Sequence, residues 1–322
     1  MTAQRGISRK GTTERREATG RKAMTGVATA VSLAALACAA PAPALAQEPF
    51  RIGLVALPGE AAGVEGLSDI KAAYSGALGL PVEVMVARDY AALAEAQIAG
   101  RLDYAVYSAP AYAAAFARCG CLRPVAAPVD ADGTVGLRSV LIVRTGAAAV
   151  RGRLAVGPAD SLATRLAPLA LSARARTAAA AGRLIEAQSA AEAEAMFLEG
   201  EVEGFFGWMP ARPESGAQAT AEDSTREDPV AGGSLARLEA AGLDPASYRV
   251  AWRSDVLRYG PHAVRADLPA AQAERLSALL SGIAAGAANP GRRILRGHGD
   301  FAAVTQADYA AVVRALTALA AP

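Results

Sequence analysis

Two stretches of the chain place a small hydroxyl residue where a strand gives way to a helix, an arrangement suited to anion binding. The first is Leu102-Asp103-Tyr104-Ala105-Val106-Tyr107-Ser108-Ala109-Pro110-Ala111-Tyr112. Leu102, Tyr104 and Val106 alternate with Asp103, Ala105 and Tyr107, which predicts a strand. Ser108 then suits an N-cap, Pro110 suits a first helical turn, and the Ala-rich run 109–117 predicts the helix itself. A helix that starts at the carboxyl end of a strand points unpaired N–H groups and the positive end of its dipole into the space there. That space suits a small anion. The second stretch, Leu154-Ala155-Val156-Gly157-Pro158-Ala159-Asp160-Ser161-Leu162-Ala163-Thr164, has the same design. The two helix starts are expected to face each other across a cleft and hold one small anionic ligand.

Other chemistries find little support. The sequence contains no Ser-His-Asp set, no Cys-His pair, no metal-ligand cluster and no glycine-rich nucleotide loop in context. The two histidines, His262 and His298, come late. The expectation is therefore a non-enzyme, with no catalytic residue, no metal site and no cofactor. Cys119 and Cys121 form Cys-Gly-Cys, which reads as two thiols or a local disulfide at a helix end.

The first 46 residues read as a leader. Met1 to Lys22 carry seven basic and two acidic residues, an apolar run follows to about Ala40, and Ala44-Leu45-Ala46 is a small-x-small cleavage site. The run is Ala-rich and short for a spanning helix. Cys38 after Leu36-Ala37 resembles a lipoprotein box, but Ala35 stands where a leucine is usual. Arg15-Arg16 is a twin-arginine pair without the hydrophobic residue that should follow. Ordinary secretion before Gln47 is preferred, giving a periplasmic protein, with lipid anchoring through Cys38 as the lesser alternative. Cleavage would leave 26 of the 33 basic residues against 29 of the 31 acidic ones, a formal charge of about −3. No basic cluster interleaved with aromatics appears, so nucleic acid is not an expected partner.

The elements around these turns alternate. Strands are predicted from Phe50, over 82–86, 125–129 and 137–144, and helices over 67–78 and 90–99. Farther on, 190–198 reads as a helix, 202–208 and 248–254 as strands, 212–233 as a surface loop, and 270–287 and 308–319 as helices. Alternating strands and helices mean an α/β fold with sheets covered on both faces.

Several of these segments carry a resemblance. Arg51-Ile52-Gly53, Asp89-Tyr90-Ala91-Ala92, Gly100-Arg101-Leu102-Asp103, Tyr107-Ser108-Ala109-Pro110-Ala111-Tyr112 and Val140-Leu141-Ile142-Val143-Arg144 resemble, in order and spacing, the periplasmic phosphonate/phosphite/phosphate-binding proteins of ABC importers. The resemblance implies a two-lobed type II binding-protein fold, each lobe a mixed sheet flanked by helices, joined by a two-strand hinge near Arg144 and Arg249. The first lobe would comprise 47–144 plus 253–322, and the second 145–252. It further implies a small oxyanion as ligand, a membrane permease as partner and a monomer. Tyr90, Tyr107 and Ser108 would line the first wall of the cleft, although both tyrosines also fit a core with satisfied hydroxyls. On the second wall the family has a Ser-Thr-Ser-Gly run, where this chain has Ser161-Leu162-Ala163-Thr164. Two hydroxyls are thus lost, each worth roughly 1.5–3 kcal/mol to a charged ligand. Trp208 and Phe206 fit a pocket wall or the core equally well. Arg165 reads as solvated and His262 as a structural histidine. The alternative function is a periplasmic binding or sensing module for a less charged organic ligand, uncoupled from transport, which Leu162 and Ala163 would favour.

Overall fold

The computed structural model describes residues 48–56, 66–146, 151–213, 232–283 and 299–320. The expected leader, Pro58 at the end of the first strand's loop, most of the expected 212–233 loop and residues 284–287 lie outside them.

The chain runs β1 (Phe50–Val55), α1 (Leu67–Leu78), β2 (Val82–Ala87), α2 (Tyr90–Ile98), β3 (Tyr104–Val106), α3 (Ala109–Cys119), β4 (Leu122–Val129), β5 (Gly136–Arg144) and β6 (Leu154–Val156). A π-helical turn, Leu162–Leu166, continues into α4 (Ala167–Leu171) and is followed by α5 (Ala173–Ala180), β7 (Leu184–Glu186), α6 (Ala190–Leu198), β8 (Gly204–Ala211) and α7 (Gly233–Ala240). Then come β9 (Tyr248–Arg253), β10 (Leu257–Arg258), β11 (His262–Arg265), α8 (Ala270–Ile283), β12 (Asp300–Ala303) and α9 (Ala310–Ala320). Helix ends follow the sequence closely. Gly79 and Gly120 close α1 and α3 in the left-handed conformation, and Asp89 and Ser189 cap α2 and α6 through their side chains.

The strands form two mixed sheets. The first has the order β12-β4-β11-β3-β1-β2 and the second β10-β5-β8-β6-β7, with β9 also paired to β5. In each, a short strand feeds a helix start: β3 lies parallel to β1 and antiparallel to β11, and β6 lies parallel to both β7 and β8. Four apolar clusters cover both faces of both sheets. α1 and α8 bury Ile70, Tyr74, Leu78, Leu276 and Leu280 against one face of the first sheet, and α2, α3 and α9 cover the other. The second sheet lies between Ala193, Phe197 and Leu238 of α6 and α7 and Ala175 and Ala178 of α5. This is the two-lobed α/β fold expected.

The lobe limits read from the sequence differ from sheet membership. β5 and β10 belong to the second sheet, so the chain crosses between sheets at 130–135 and 259–261 rather than near Arg144 and Arg249. β5 pairs antiparallel with β8 along its length and with β9 and β10 on its other edge. Its buried run Val140–Val143 satisfies any two-sided sheet, and nothing in that run names the sheet it joins. The two crossings are tied together: Tyr259 N–H donates to the Val135 carbonyl at 3.2 Å and the Tyr259 hydroxyl to Asp130 Oδ2 at 2.5 Å. Gly260 lets the second crossing lie against the turn between β3 and α3, since a Cβ there would fall on the Tyr107 carbonyl.

Beneath the first turn lies a buried polar relay. The Tyr74 and Tyr104 hydroxyls meet at 2.7 Å, and the Tyr104 hydroxyl also meets His262 Nδ1. His262 stacks edge-on to Phe301 in this core, so it is a structural residue. Tyr104→Phe should leave the buried Tyr74 hydroxyl without its partner and cost about 1–3 kcal/mol, read as a lower urea midpoint with an unchanged slope.

Candidate functional site

Both helix starts form as the sequence predicts. Ser108 is extended (φ −75°, ψ 157°) and its Oγ accepts the Ala111 N–H at 3.3 Å. Pro110 supplies no N–H, so Ala109 N–H remains outside the helical ladder. Ser161 caps the second start, with its Oγ accepting from Thr164 N at 3.4 Å and from Thr164 Oγ1 at 2.6 Å. The Ser161 carbonyl accepts both Arg165 N–H and Leu166 N–H, which makes the first turn π-helical. Leu162 and Ala163 N–H stand ahead of that ladder. Each serine oxygen accepts for its cap and keeps its own proton, so each can still donate one hydrogen bond to an anion.

The candidate residues divide into those that meet and those that do not. Tyr107, Ala109, Tyr112, Ala163, Ala167, Tyr309, Val312 and Ala315 belong to one apolar cluster, against which Tyr90, Leu162 and Trp208 pack. The cluster, an apolar seam, draws on both sheets and includes Ala109 from the first helix start and Ala163 from the second. Tyr107 is 3% exposed and its hydroxyl has no hydrogen-bond partner, while burial pushes its ionisation upward. Thr164 instead turns inward: it is 2% exposed, bonded to Ser161, and packed on Gly157, whose missing Cβ leaves it room. Arg165 is paired rather than solvated, reaching Glu186 at 2.7 Å. Phe206 lies in the core beside Trp252.

Trp208 is held by residues the sequence does not mark. Its main-chain N–H donates to Ser234 Oγ at 3.2 Å, and the Arg237 guanidinium lies 5.2 Å from its ring centroid. Arg237 in turn makes a fork to the buried Glu194 carboxylate at 2.6 and 2.5 Å, hydrogen bonds that hold its pKa above the usual guanidinium value. Glu194 and Arg237 stand on different helices, 43 residues apart, so no local spacing announces the pair. Tyr112 and Tyr309 meet edge to face at 5.1 Å in the seam. Among the described residues no group of three or more His, Cys, Asp or Glu could hold a metal ion.

Two substitutions test this geometry. Gly157→Ala puts a Cβ within 2.8 Å of Thr164 Cβ. It should displace Thr164 and loosen the Ser161 cap at a cost of ~1–2 kcal/mol in thermal unfolding. Trp208 and Trp252 are the chain's two tryptophans. In a Trp252→Phe background, Arg237→Met should red-shift and broaden Trp208 emission as the ring loses its cationic neighbour.

A model of the family described as the periplasmic substrate-binding protein of ABC phosphonate transporters matches residues 60–312. No curated protein sequence matches the chain. Among solved structures, XAC2383 from Xanthomonas citri, bound to chloride, is 15% identical with a TM-score of 0.50, covering 83% of this chain and 98% of its own. Transferrin 1 from Manduca sexta is 13% identical with a TM-score of 0.54, covering 84% of this chain and 46% of its own. A binding-protein component of an ABC phosphonate transporter from Pseudomonas aeruginosa is 18% identical with a TM-score of 0.44, covering 82% and 83%. Among the described residues no helix is long and apolar enough to cross a membrane. The match over most of the sequence, on a fold of this kind, makes the chain a member of the ABC-transporter phosphonate periplasmic substrate-binding protein family.

Proposed function

We propose that this chain is the exported binding component of an importer and takes a small phosphonate-, phosphite- or phosphate-like anion between its two sheets. What supports the reading is the pair of serine-capped helix starts, α3 and 162–171, each contributing a buried alanine to the apolar cluster that also holds Tyr107, whose buried hydroxyl has no partner. Donors for an anion are the Ser108 and Ser161 hydroxyl protons, the Ala109, Leu162 and Ala163 N–H groups and the Tyr107 hydroxyl, with Tyr90 and Trp208 as walls. Ligand enters with the seam parted. The second helix start then closes on it by motion about the crossings at 130–135 and 259–261, and the closed form docks on a membrane permease. A monomer suffices for this cycle.

Leu162 and Ala163 favour a second reading, an organic ligand with fewer acceptor atoms. They bring apolar surface to the wall where the resemblance implies hydroxyls, and Ala163 is buried in the seam.

Calorimetric titration with phosphite, phosphate, short alkylphosphonates and sulfonates separates the two. The oxyanion reading expects saturable binding of at least one of them, weakened about tenfold or more by Ser108→Ala. Absence of heat with the whole panel overturns it. Leu162→Thr with Ala163→Ser should restore hydroxyl donors and tighten oxyanion binding by about tenfold or more.

A further inference from the structure

Cys119, the last residue of α3, and Cys121, just before β4, are joined as a disulfide across Gly120. We propose that this disulfide is a thiol-exchange site, which accepts electrons from an exported dithiol protein docking at the hollow beside Cys121.

The first support is what the cross-link fails to do structurally. It closes a ring across a single intervening residue, so it constrains the unfolded chain far less than a long-range bridge. The path it spans is already fixed, by the left-handed Gly120 with its N–H on the Phe116 carbonyl and by pairing of β4 with β11. Both cysteines are partly exposed at the surface rather than sealed in a core.

The second support is the approach. A hollow of about 600 Å³ is lined by Gln97, Ile98, Gly100, Cys121, Arg265 and Asp267. Gln97 is 1% exposed; its Nε2 donates to the Ala263 carbonyl, and its Oε1 is buried without a donor. A main-chain N–H of a docked polypeptide is the kind of donor that oxygen lacks.

The third support concerns direction. The Cys121 N–H points at Cys119 Sγ, 3.0 Å away. A thiolate on Cys119 would keep this hydrogen bond. The end of α3 opposes negative charge there, and Arg118 in the same turn offsets it. Of the two cysteines Cys121 is the one that lines the hollow, and Cys119 is the better leaving group.

The partner's thiolate attacks Cys121 Sγ. The intramolecular S–S bond breaks, a mixed disulfide forms at Cys121, and the electron pair leaves on Cys119 as thiolate. The partner's second thiol, its proton released to water, then attacks the partner sulfur of the mixed disulfide. This closes the partner's own disulfide and frees Cys121. The partner loses two electrons and the chain gains two; a partner arriving as disulfide runs the same steps backward.

The full folded chain is treated with dithiothreitol, or with reduced glutathione as the single-thiol probe. Thiols are then alkylated and located by peptide mass mapping, which keeps Cys38 separate. Dithiothreitol should open the Cys119–Cys121 bond with the unfolding midpoint moved by less than ~4 °C. Glutathione should appear on Cys121, with the alkylated thiol on Cys119. The double variant Cys119→Ser/Cys121→Ser should keep its midpoint within the same margin and lose all exchange. A bond that opens only after denaturation, an adduct on Cys119, or a double variant that unfolds at markedly lower temperature would each overturn the proposal in favour of a structural staple.

Discussion

The seam between the two sheets depends on alanine. Ala163 and Ala167 of the second helix start and Ala109, Ala311 and Ala315 of the facing helices are buried in a single cluster, and small side chains there let helix backbones approach closely. Bulkier residues would hold the helix starts apart and leave their N–H groups to water. The same closeness explains why tyrosine rings appear at the seam. Tyr107, Tyr112 and Tyr309 fill the space that alanine leaves, meeting edge to face, and bring hydroxyls with them.

Around this seam the hydrogen bonding is largely self-contained. Ser161 and Thr164 bond each other, the Tyr112 hydroxyl donates to Gln306, and the Tyr309 hydroxyl donates to the Tyr259 carbonyl at 2.8 Å. The Tyr107 hydroxyl is the exception, and a buried hydroxyl left unpaired costs free energy that a ligand acceptor would recover. The second wall differs in kind from the first. Its polar atoms are spent on shaping the π-turn, while Leu162, Ala163 and Trp208 present apolar surface. On the proposed function, recognition on that side would rest on main-chain N–H groups and on Trp208, which Arg237 and Glu194 hold in place.

Much of the framework was legible because its signals are local. Leu67–Leu78 and Ala190–Leu198 form helices with the limits that their Gly and Ser punctuation predicts, and Ser108 and Ser161 cap as their positions require. What was illegible depends on distant partners. β7, three residues long, carries too little pattern of its own to register, and β12 comes from a segment with no alternation to read. β5 reads as a buried strand, but its place between β8 and β9 is decided by residues more than 60 positions away. Thr164 faces inward because the π-turn shifts the angular position of each following residue, a change no sequence period records. The Glu194–Arg237 fork is invisible for the same reason as the sheet order: two helices must first be packed.

The last helix, α9, has a consequence of its own. It packs against α3 on one side and α4 on the other, so the end of the chain lies along both halves of the molecule. On the proposed function, motion about the two crossings would be accompanied by α4 sliding over α9. Ala311, Val312 and Ala315 of α9 and Ala167 and Ala170 of α4 all belong to or pack on this one apolar cluster. On that reading the opening would combine hinge motion at the crossings with shear of α4 along α9.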